Sequence, residues 1–157
     1  MRVEPEIIYS ISMEGPMNRR ISYKKMAPAA FEAIIKSEES MKDSPLDPML
    51  LELIKIRVSQ INGCAFCLNM HTKDARERGE SEERIYLLNA WRDSKIFSDR
   101  ERAALEFAEA LTHISIHPVS DEHFERMKAL FSDKEIVDLV FAVNNINSWN
   151  RLNITLS

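Results

Sequence analysis

Apolar residues recur at intervals of three and four along most of the chain, which is the spacing of an amphipathic α-helix. Phe31, Ile34 and Ile35 form one such stripe, in a segment whose first turn holds Pro28. No segment predicts a strand with comparable strength. The pattern therefore predicts an all-α fold, a single-domain helical bundle of about six to seven helices.

Capping residues set the predicted helix boundaries. Asp47 accepts orphan N–H groups and Pro48 suits a first turn, so a helix is predicted over residues 49–60, with Asn62-Gly63 ending it. A third helix opens at the two cysteines and runs to Arg78, before Gly79. Further helices are predicted from Ser81 through Trp91, from Ser98 to about His113, over residues 122–131, and from Ser132 to about Trp149.

Composition and charge narrow the class of protein. The chain has 157 residues, 45% of them hydrophobic and 29% charged, and only 3 Gly. This length fits one domain. A net charge of −4 argues against a nucleic-acid partner, which requires clustered Lys and Arg. We predict an N-terminal arm over residues 1–21 and a helical domain over residues 22–157, with the arm crossing onto a neighbouring subunit.

No apolar run reaches the roughly 20 residues that span a bilayer. Glu4, Glu6 and Glu14 stand where a signal peptide has its apolar core, so we predict a cytoplasmic protein without a membrane partner. Structural disulfides are rare in that reducing compartment, and paired cysteines there favour metal binding or catalysis.

The segment "INGCAFCLNMH", residues 61–71, contains both cysteines of the chain. On a helix, Cys67 and His71 are separated by one turn and share a face, while Cys64 and Cys67 are close enough to form a disulfide. A helix N-terminus and a neighbouring imidazole both favour a thiolate. The segment predicts a reactive dithiol beside a base.

The preceding helix adds candidate partners. Glu52 and Ser59 lie along one stripe that can turn toward the thiols after the Asn62-Gly63 corner. Glu52 has apolar neighbours, and a buried carboxylate requires a partner, so we expect it to pair with His71. Lys55 is interpreted as a solvated charge. The asparagines near the C-terminus could line a pocket, cap carbonyls or form an interface network.

Two other interpretations of the cysteines remain. Free cysteines are often inert core residues. A structural zinc site usually has four ligands, and the chain lacks a second CxxC or HxxxH half, so no metal is predicted.

The glutamate, serine, dithiol and histidine in this register resemble the alkylhydroperoxidase D group of the carboxymuconolactone decarboxylase superfamily. Further similarity lies in "LDPMLLELI", "FSDRERAALEFAEALTHIS" and "FSDKEIVDLVFAVNNINSWNRL", and the resemblance covers most of residues 25–155. Well-studied members of that group carry a histidine between the cysteines, where this chain has Phe66.

The resemblance implies a thiol peroxidase that reduces organic hydroperoxides and assembles as a homotrimer or homohexamer. Cys67 would be the peroxidatic cysteine, Cys64 the resolving cysteine, and Glu52 with His71 the proton relay, with Ser59 in support. It also implies an external dithiol reductant, of lipoyl or thioredoxin type, and no bound cofactor. Two alternatives remain: a redox-sensing oligomeric binding protein, or a non-redox carboxymuconolactone decarboxylase-like enzyme.

Overall fold

The structure is a computed structural model that describes residues 20–156. Over that span it contains eight α-helices, two short 3₁₀-helices and no strand, which confirms the predicted all-α fold. The α-helices are α1 (Tyr23–Met26), α2 (Pro28–Ser40), α3 (Pro48–Asn62), α4 (Ala65–Glu77), α5 (Glu82–Leu87), α6 (Asp99–Thr112), α7 (Asp121–Leu130) and α8 (Asp133–Leu156). The count exceeds the predicted six or seven because α1, a four-residue helix, was not expected.

The capping signals identify the helix starts correctly. The Asp47 carboxylate accepts a hydrogen bond from the Met49 N–H at 2.9 Å, at the start of α3. At the start of α6, the Ser98 hydroxyl accepts from the Glu101 N–H, and the Glu101 carboxylate accepts from the Ser98 N–H. These bonds satisfy amides that would otherwise lack partners, so a few local residues suffice to set a helix start.

The predicted helix through Trp91 is wrong in its second half. The α-helix α5 ends at Leu87, and a 3₁₀-helix, Leu88–Ala90, follows it. Residues three apart lie on one face of a 3₁₀-helix, so the tighter winding turns Leu88 and Trp91 toward the same core cluster. Tertiary packing of these two side chains decides the local geometry.

The last helix is longer than predicted. It continues past Trp149 to Leu156, because Asn150 and Asn153 are buried and hydrogen-bonded to other helices. Asparagine in a helix interior usually competes with the backbone for hydrogen bonds. Interhelical partners remove that competition here.

Helix α3 lies at the centre of the fold and packs against α4, α6 and α8. Leu53, Ile54, Ile56 and Val58 are fully buried. A helix that is apolar on most of its circumference is surrounded by other helices. Glu52, which lies on this helix, is buried for the same reason.

The N-terminal arm predicted over residues 1–21 lies outside the described residues, apart from its last two positions. Ile21 donates a backbone hydrogen bond to the Leu156 carbonyl, at the end of α8. Among residues 20–156, no helix has the length and apolar character needed to cross a membrane.

Candidate active site

A sharp corner between α3 and α4 positions the two cysteines. Gly63 adopts φ +72°, a left-handed conformation that is strained for residues with a side chain. The N–H groups of Gly63 and Cys64 both donate to the Ser59 carbonyl. The chain therefore reverses within one residue, and Cys64 becomes the N-cap of α4.

Cys64 and Cys67 are joined by a disulfide, and each is only 1% exposed. The Cys64 sulfur also accepts the Cys67 N–H at 3.3 Å, so it serves as the capping group of the helix. Cys67 lies in the first turn of α4, where unpaired amides and the helix dipole favour negative charge. The arrangement is an oxidised dithiol at a helix N-terminus.

His71 follows Cys67 by one turn and lies against Glu52 of α3. Its Nδ1 is 2.9 Å from Oε2 of Glu52, and both side chains are buried. The ionised carboxylate can only accept, so Nδ1 carries the proton and donates it. Nε2 is then the basic nitrogen, and among residues 20–156 this buried atom has no hydrogen-bond partner.

Lys55 adds a positive charge beside this pair. Its Nζ lies 3.5 Å from Oε1 of Glu52 and 3.8 Å from Oε2 of Glu38. The prediction that Lys55 is a solvated charge is wrong, because these two carboxylates pair with it inside the protein. Burial by itself would raise the pKa of Glu52, but the hydrogen bond from His71 and the charge of Lys55 outweigh burial and lower the pKa to about 2.

A cavity of about 370 Å³ lies beside the Glu52–His71 pair. Its lining residues are Glu38, Met41, Lys42, Ser44, Leu46, Pro48, Leu51, Glu52, Lys55, His71, Asp74 and Arg78. Neither cysteine belongs to this set. Burial raises the pKa of Asp74, and the Glu52 carboxylate raises it further, against the effect of His71. The cavity therefore borders Glu52 and His71 together with further polar side chains, and it does not border the sulfurs.

Glu52, His71 and Asp74 have potential metal-ligand atoms within 4.8 Å of one another. Nδ1 of His71 is already bonded to Glu52, and the ammonium group of Lys55 lies at the other oxygen of that carboxylate. A cation in this position would be repelled by Lys55. The three residues suit proton transfer better than metal binding.

Ser59 lies in a network that joins α3 to α8. Its hydroxyl accepts a hydrogen bond from Nδ2 of Asn150 at 3.0 Å, and among residues 20–156 it bonds to neither sulfur. Asn62 donates from Nδ2 to the side-chain oxygens of Asn147 and Asn150, each at 2.9 Å. The asparagine run of α8 thus forms a network between helices, and Ser59 belongs to it.

Sequence reasoning missed Asn153. Its Nδ2 lies 3.9 Å from the sulfur of Cys67, 86 positions away in sequence. Asn150 and Asn153 are three residues apart, so they share a helix face, and this spacing was the available signal. The polar stripe extends one turn further than the predicted helix, and its last member reaches the dithiol.

Comparison with known proteins agrees with this fold and identifies the family. The model of the carboxymuconolactone decarboxylase family matches residues 28–110. The uncharacterized protein YdfG of Bacillus subtilis (strain 168) is 46% identical over 140 residues, which cover 89% of this chain and 95% of YdfG.

Several solved structures share the fold. A protein of unknown function from Agrobacterium tumefaciens, described as a candidate antioxidant defence protein AhpD, superposes with a TM-score of 0.83 at 42% identity, covering 88% of this chain and 94% of that one. The debrominase Bmp8, in complex with 2,3,4-tribromopyrrole, superposes with a TM-score of 0.79 at 19% identity, covering 97% of this chain and 81% of that one. At that identity Bmp8 shows a similar fold only. The chain is thus an AhpD-like member of the carboxymuconolactone decarboxylase family.

Proposed function

We propose that this protein is a thiol peroxidase that reduces organic hydroperoxides through a cycle between the Cys64–Cys67 dithiol and its disulfide. The hydrogen bonding of His71 is the observation that supports this proposal most directly. Its Nδ1 is bonded to a carboxylate and its buried Nε2 has no partner within residues 20–156. An imidazole in this state, one turn from a cysteine, is suited to accept a thiol proton.

In the first step, Nε2 of His71 takes the Cys67 proton, and the thiolate attacks the terminal peroxide oxygen. An S–O bond forms as the O–O bond breaks, and the leaving alkoxide receives the proton from His71. The products are an alcohol and a sulfenic acid on Cys67. Glu52 holds the ring in the required tautomer and stabilises the imidazolium between the two transfers.

In the second step, the Cys64 thiol attacks the sulfenic sulfur. The S–S bond forms, and the hydroxide leaves as water with the Cys64 proton. Two electrons have then passed from the dithiol to the peroxide. An external dithiol of lipoyl or thioredoxin type returns them by thiol–disulfide exchange. The disulfide between Cys64 and Cys67 is the end point of this sequence, which supports the assignment of the two residues as partners.

The family and fold do not by themselves select this reaction, since the similar fold of Bmp8 belongs to a debrominase. Both cysteines and their base favour redox chemistry over a decarboxylase-like reaction, which does not need a dithiol. A redox-sensing protein would form the same disulfide without turning over peroxide. Steady-state turnover of peroxide separates the peroxidase from the other two classes, and a change of assembly on oxidation identifies the redox sensor.

The test is consumption of cumene hydroperoxide with dihydrolipoamide as reductant, comparing the unmodified chain with Cys67→Ser. We expect turnover by the first and none by the second. Equal turnover in Cys67→Ser would exclude the thiol mechanism. No turnover by the unmodified chain, together with a change of assembly on oxidation, would favour the redox sensor.

We further propose that the chain forms a homotrimer or homohexamer in the cytoplasm. Exposed apolar side chains on α7 and α8 support self-association: Phe124 is 43% exposed, and Val137 and Phe141 are each 50% exposed. They line one groove with Phe107 and Ile136. Apolar groups gathered in this way commonly mark a protein interface.

A further inference from the structure

Asn153 connects the dithiol to the beginning of the described chain. Its amide nitrogen lies 3.9 Å from the sulfur of Cys67, and its amide oxygen accepts a hydrogen bond from the Tyr23 hydroxyl at 3.3 Å. Asn153 is 3% exposed and Tyr23 is 6% exposed. One buried side chain of α8 therefore contacts both α1, through Tyr23, and α4, through the Cys67 sulfur.

The chemistry of the two neighbours fixes which end of the amide faces the sulfur. A disulfide or thiolate sulfur has lone pairs and no proton, so it can only accept a hydrogen bond. An amide oxygen placed there would meet another electron-rich atom. The NH₂ group of Asn153 consequently faces Cys67, and the oxygen faces the hydroxyl of Tyr23.

The buried sulfur requires such a donor when it is ionised. Cys67 is 1% exposed, and an anion that is removed from water is costly unless nearby donors compensate. The Cys67 N–H is already directed at the Cys64 sulfur, and Nε2 of His71 becomes a donor only after it has taken the Cys67 proton. Asn153 supplies an uncharged donor from a different helix.

Asn147, Asn150 and Asn153 follow one another at intervals of three and form a polar stripe on α8. The first two have different partners from Asn153. Asn147 binds Asn62 and the Thr112 hydroxyl, and Asn150 binds Asn62 and Ser59. These contacts join helices to each other. Asn153 is the member of this stripe whose amide points at a sulfur.

We propose that Asn153 is a catalytic residue that donates a hydrogen bond from Nδ2 to the Cys67 sulfur and stabilises its thiolate, and that Tyr23 is the positioning residue that orients this amide. The role deepens the proposed peroxidase function and rests on it. The donor stabilises the nucleophile before attack, while Glu52 and His71 move the proton. Charge stabilisation and proton transfer thus come from different helices.

The test measures the ionisation of Cys67 directly, without peroxide. In reduced protein carrying Cys64→Ser, Cys67 is the sole thiol, and the serine hydroxyl still caps α4. The rate of alkylation by iodoacetamide is followed against pH. Adding Asn153→Leu should move the midpoint of this profile upward by about one pH unit, the size expected for one hydrogen bond to a charged group.

Two comparison variants separate a charge effect from a packing effect. Asn144→Leu is the matched control, because Asn144 is exposed on the same helix, and it should leave the midpoint unchanged. Tyr23→Phe keeps the ring and removes the hydroxyl, and it should give a smaller upward shift than Asn153→Leu. A shift in Asn144→Leu equal to that in Asn153→Leu would overturn the proposal.

Asn153→Asp decides the question if Asn153→Leu does not give a native circular dichroism spectrum. Aspartate has the shape of asparagine and places a negative charge beside the sulfur, so the midpoint should rise further. An unshifted midpoint in whichever of the two Asn153 variants folds overturns the proposal. A shifted midpoint, combined with no consumption of hydroperoxide by the unmodified chain, would overturn the peroxidase assignment and leave the hydrogen bond from Asn153 in place.

Discussion

Glu52 and His71 come from adjacent helices and meet inside the protein, with 2.9 Å between Oε2 and Nδ1. The pairing leaves Nε2 of the ring as the basic nitrogen. It also explains how a carboxylate remains ionised in the interior, because His71 and Lys55 together lower the pKa of Glu52 to about 2 despite its burial. One contact therefore links the electrostatics of the core to the proposed chemistry.

The first prediction concerns the roles of the two cysteines. In Cys64→Ser treated with limited peroxide, we expect a sulfenic acid on Cys67, because this thiol shares a helix face with His71. Mass spectrometry with a sulfenic-acid trap makes the measurement. In the reciprocal variant, Cys67→Ser, the trap should leave Cys64 unlabelled. Labelling of Cys64 there, with none on Cys67 in the first variant, would reverse the two roles.

Glu52→Gln keeps the shape of the side chain and removes its charge. If Glu52 holds His71 as a base, peroxide consumption should fall by about 10²-fold or more, the usual contribution of a general base. Steady-state kinetics with saturating dithiol give the value. Glu125→Gln, an exposed substitution of the same kind on α7, is the matched control and should retain full turnover. Equal rates in the two variants would remove Glu52 from the mechanism.

The low pKa of Glu52 predicts how stability depends on pH. Folding lowers this pKa from 4.5 to about 2, so the folded state favours the ionised carboxylate. The resulting stabilisation is complete above about pH 4.5 and is lost as the pH falls toward 2. This stabilisation is of the order of 3 kcal/mol, obtained by multiplying the lowering of the Glu52 pKa by the free energy of one pKa unit.

Denaturant unfolding of the unmodified chain and of Glu52→Gln across this range measures that contribution. The difference between their unfolding free energies should shrink as the pH falls through the window. Glu125→Gln is the control. The difference between its unfolding free energy and that of the unmodified chain shows how much of the pH dependence is unrelated to Glu52. A constant difference between the unmodified chain and Glu52→Gln from neutral pH to about pH 2 would contradict the prediction.

Asn150 should matter for stability. Its side chain binds Ser59 and Asn62, and truncation leaves buried polar groups without partners. We expect Asn150→Ala to lower the unfolding free energy by about 1–3 kcal/mol. Asn144→Ala, exposed on the same helix, should be neutral or slightly stabilising, since alanine favours helix. Chemical denaturation of both variants measures their unfolding free energies. Equal values would contradict a stabilising role for the hydrogen bonds of Asn150.

Sedimentation of the full chain and of a version beginning at Ser22 tests the assembly. We expect a trimer or hexamer from the full chain, and a smaller species from the shortened one if the arm over residues 1–21 crosses onto a neighbouring subunit. A monomeric full chain would contradict the proposed assembly. Retention of the oligomer after shortening would contradict only the role of the arm.

Local signals in the sequence were sufficient for the helix starts and for the spacing of the dithiol and its histidine. Ser98 and Glu101 cap α6 through bonds within four residues, and Cys67 and His71 share a face because of helical geometry alone. The expected proximity of Glu52 to His71 required one additional step, a reversal at Gly63, and glycine provides the positive φ for it.

Tertiary structure decided the features that depend on distant partners. The sequence predicts that α8 ends near Trp149, but the helix continues to Leu156, where Asn150 and Asn153 have buried partners on other helices. The burial of Lys55 depends on where α2 places Glu38. The contact between Asn153 and the Cys67 sulfur spans 86 positions. Hydrophobic periodicity specifies which face of a helix is buried, whereas the packing of whole helices determines which polar atoms meet on that face.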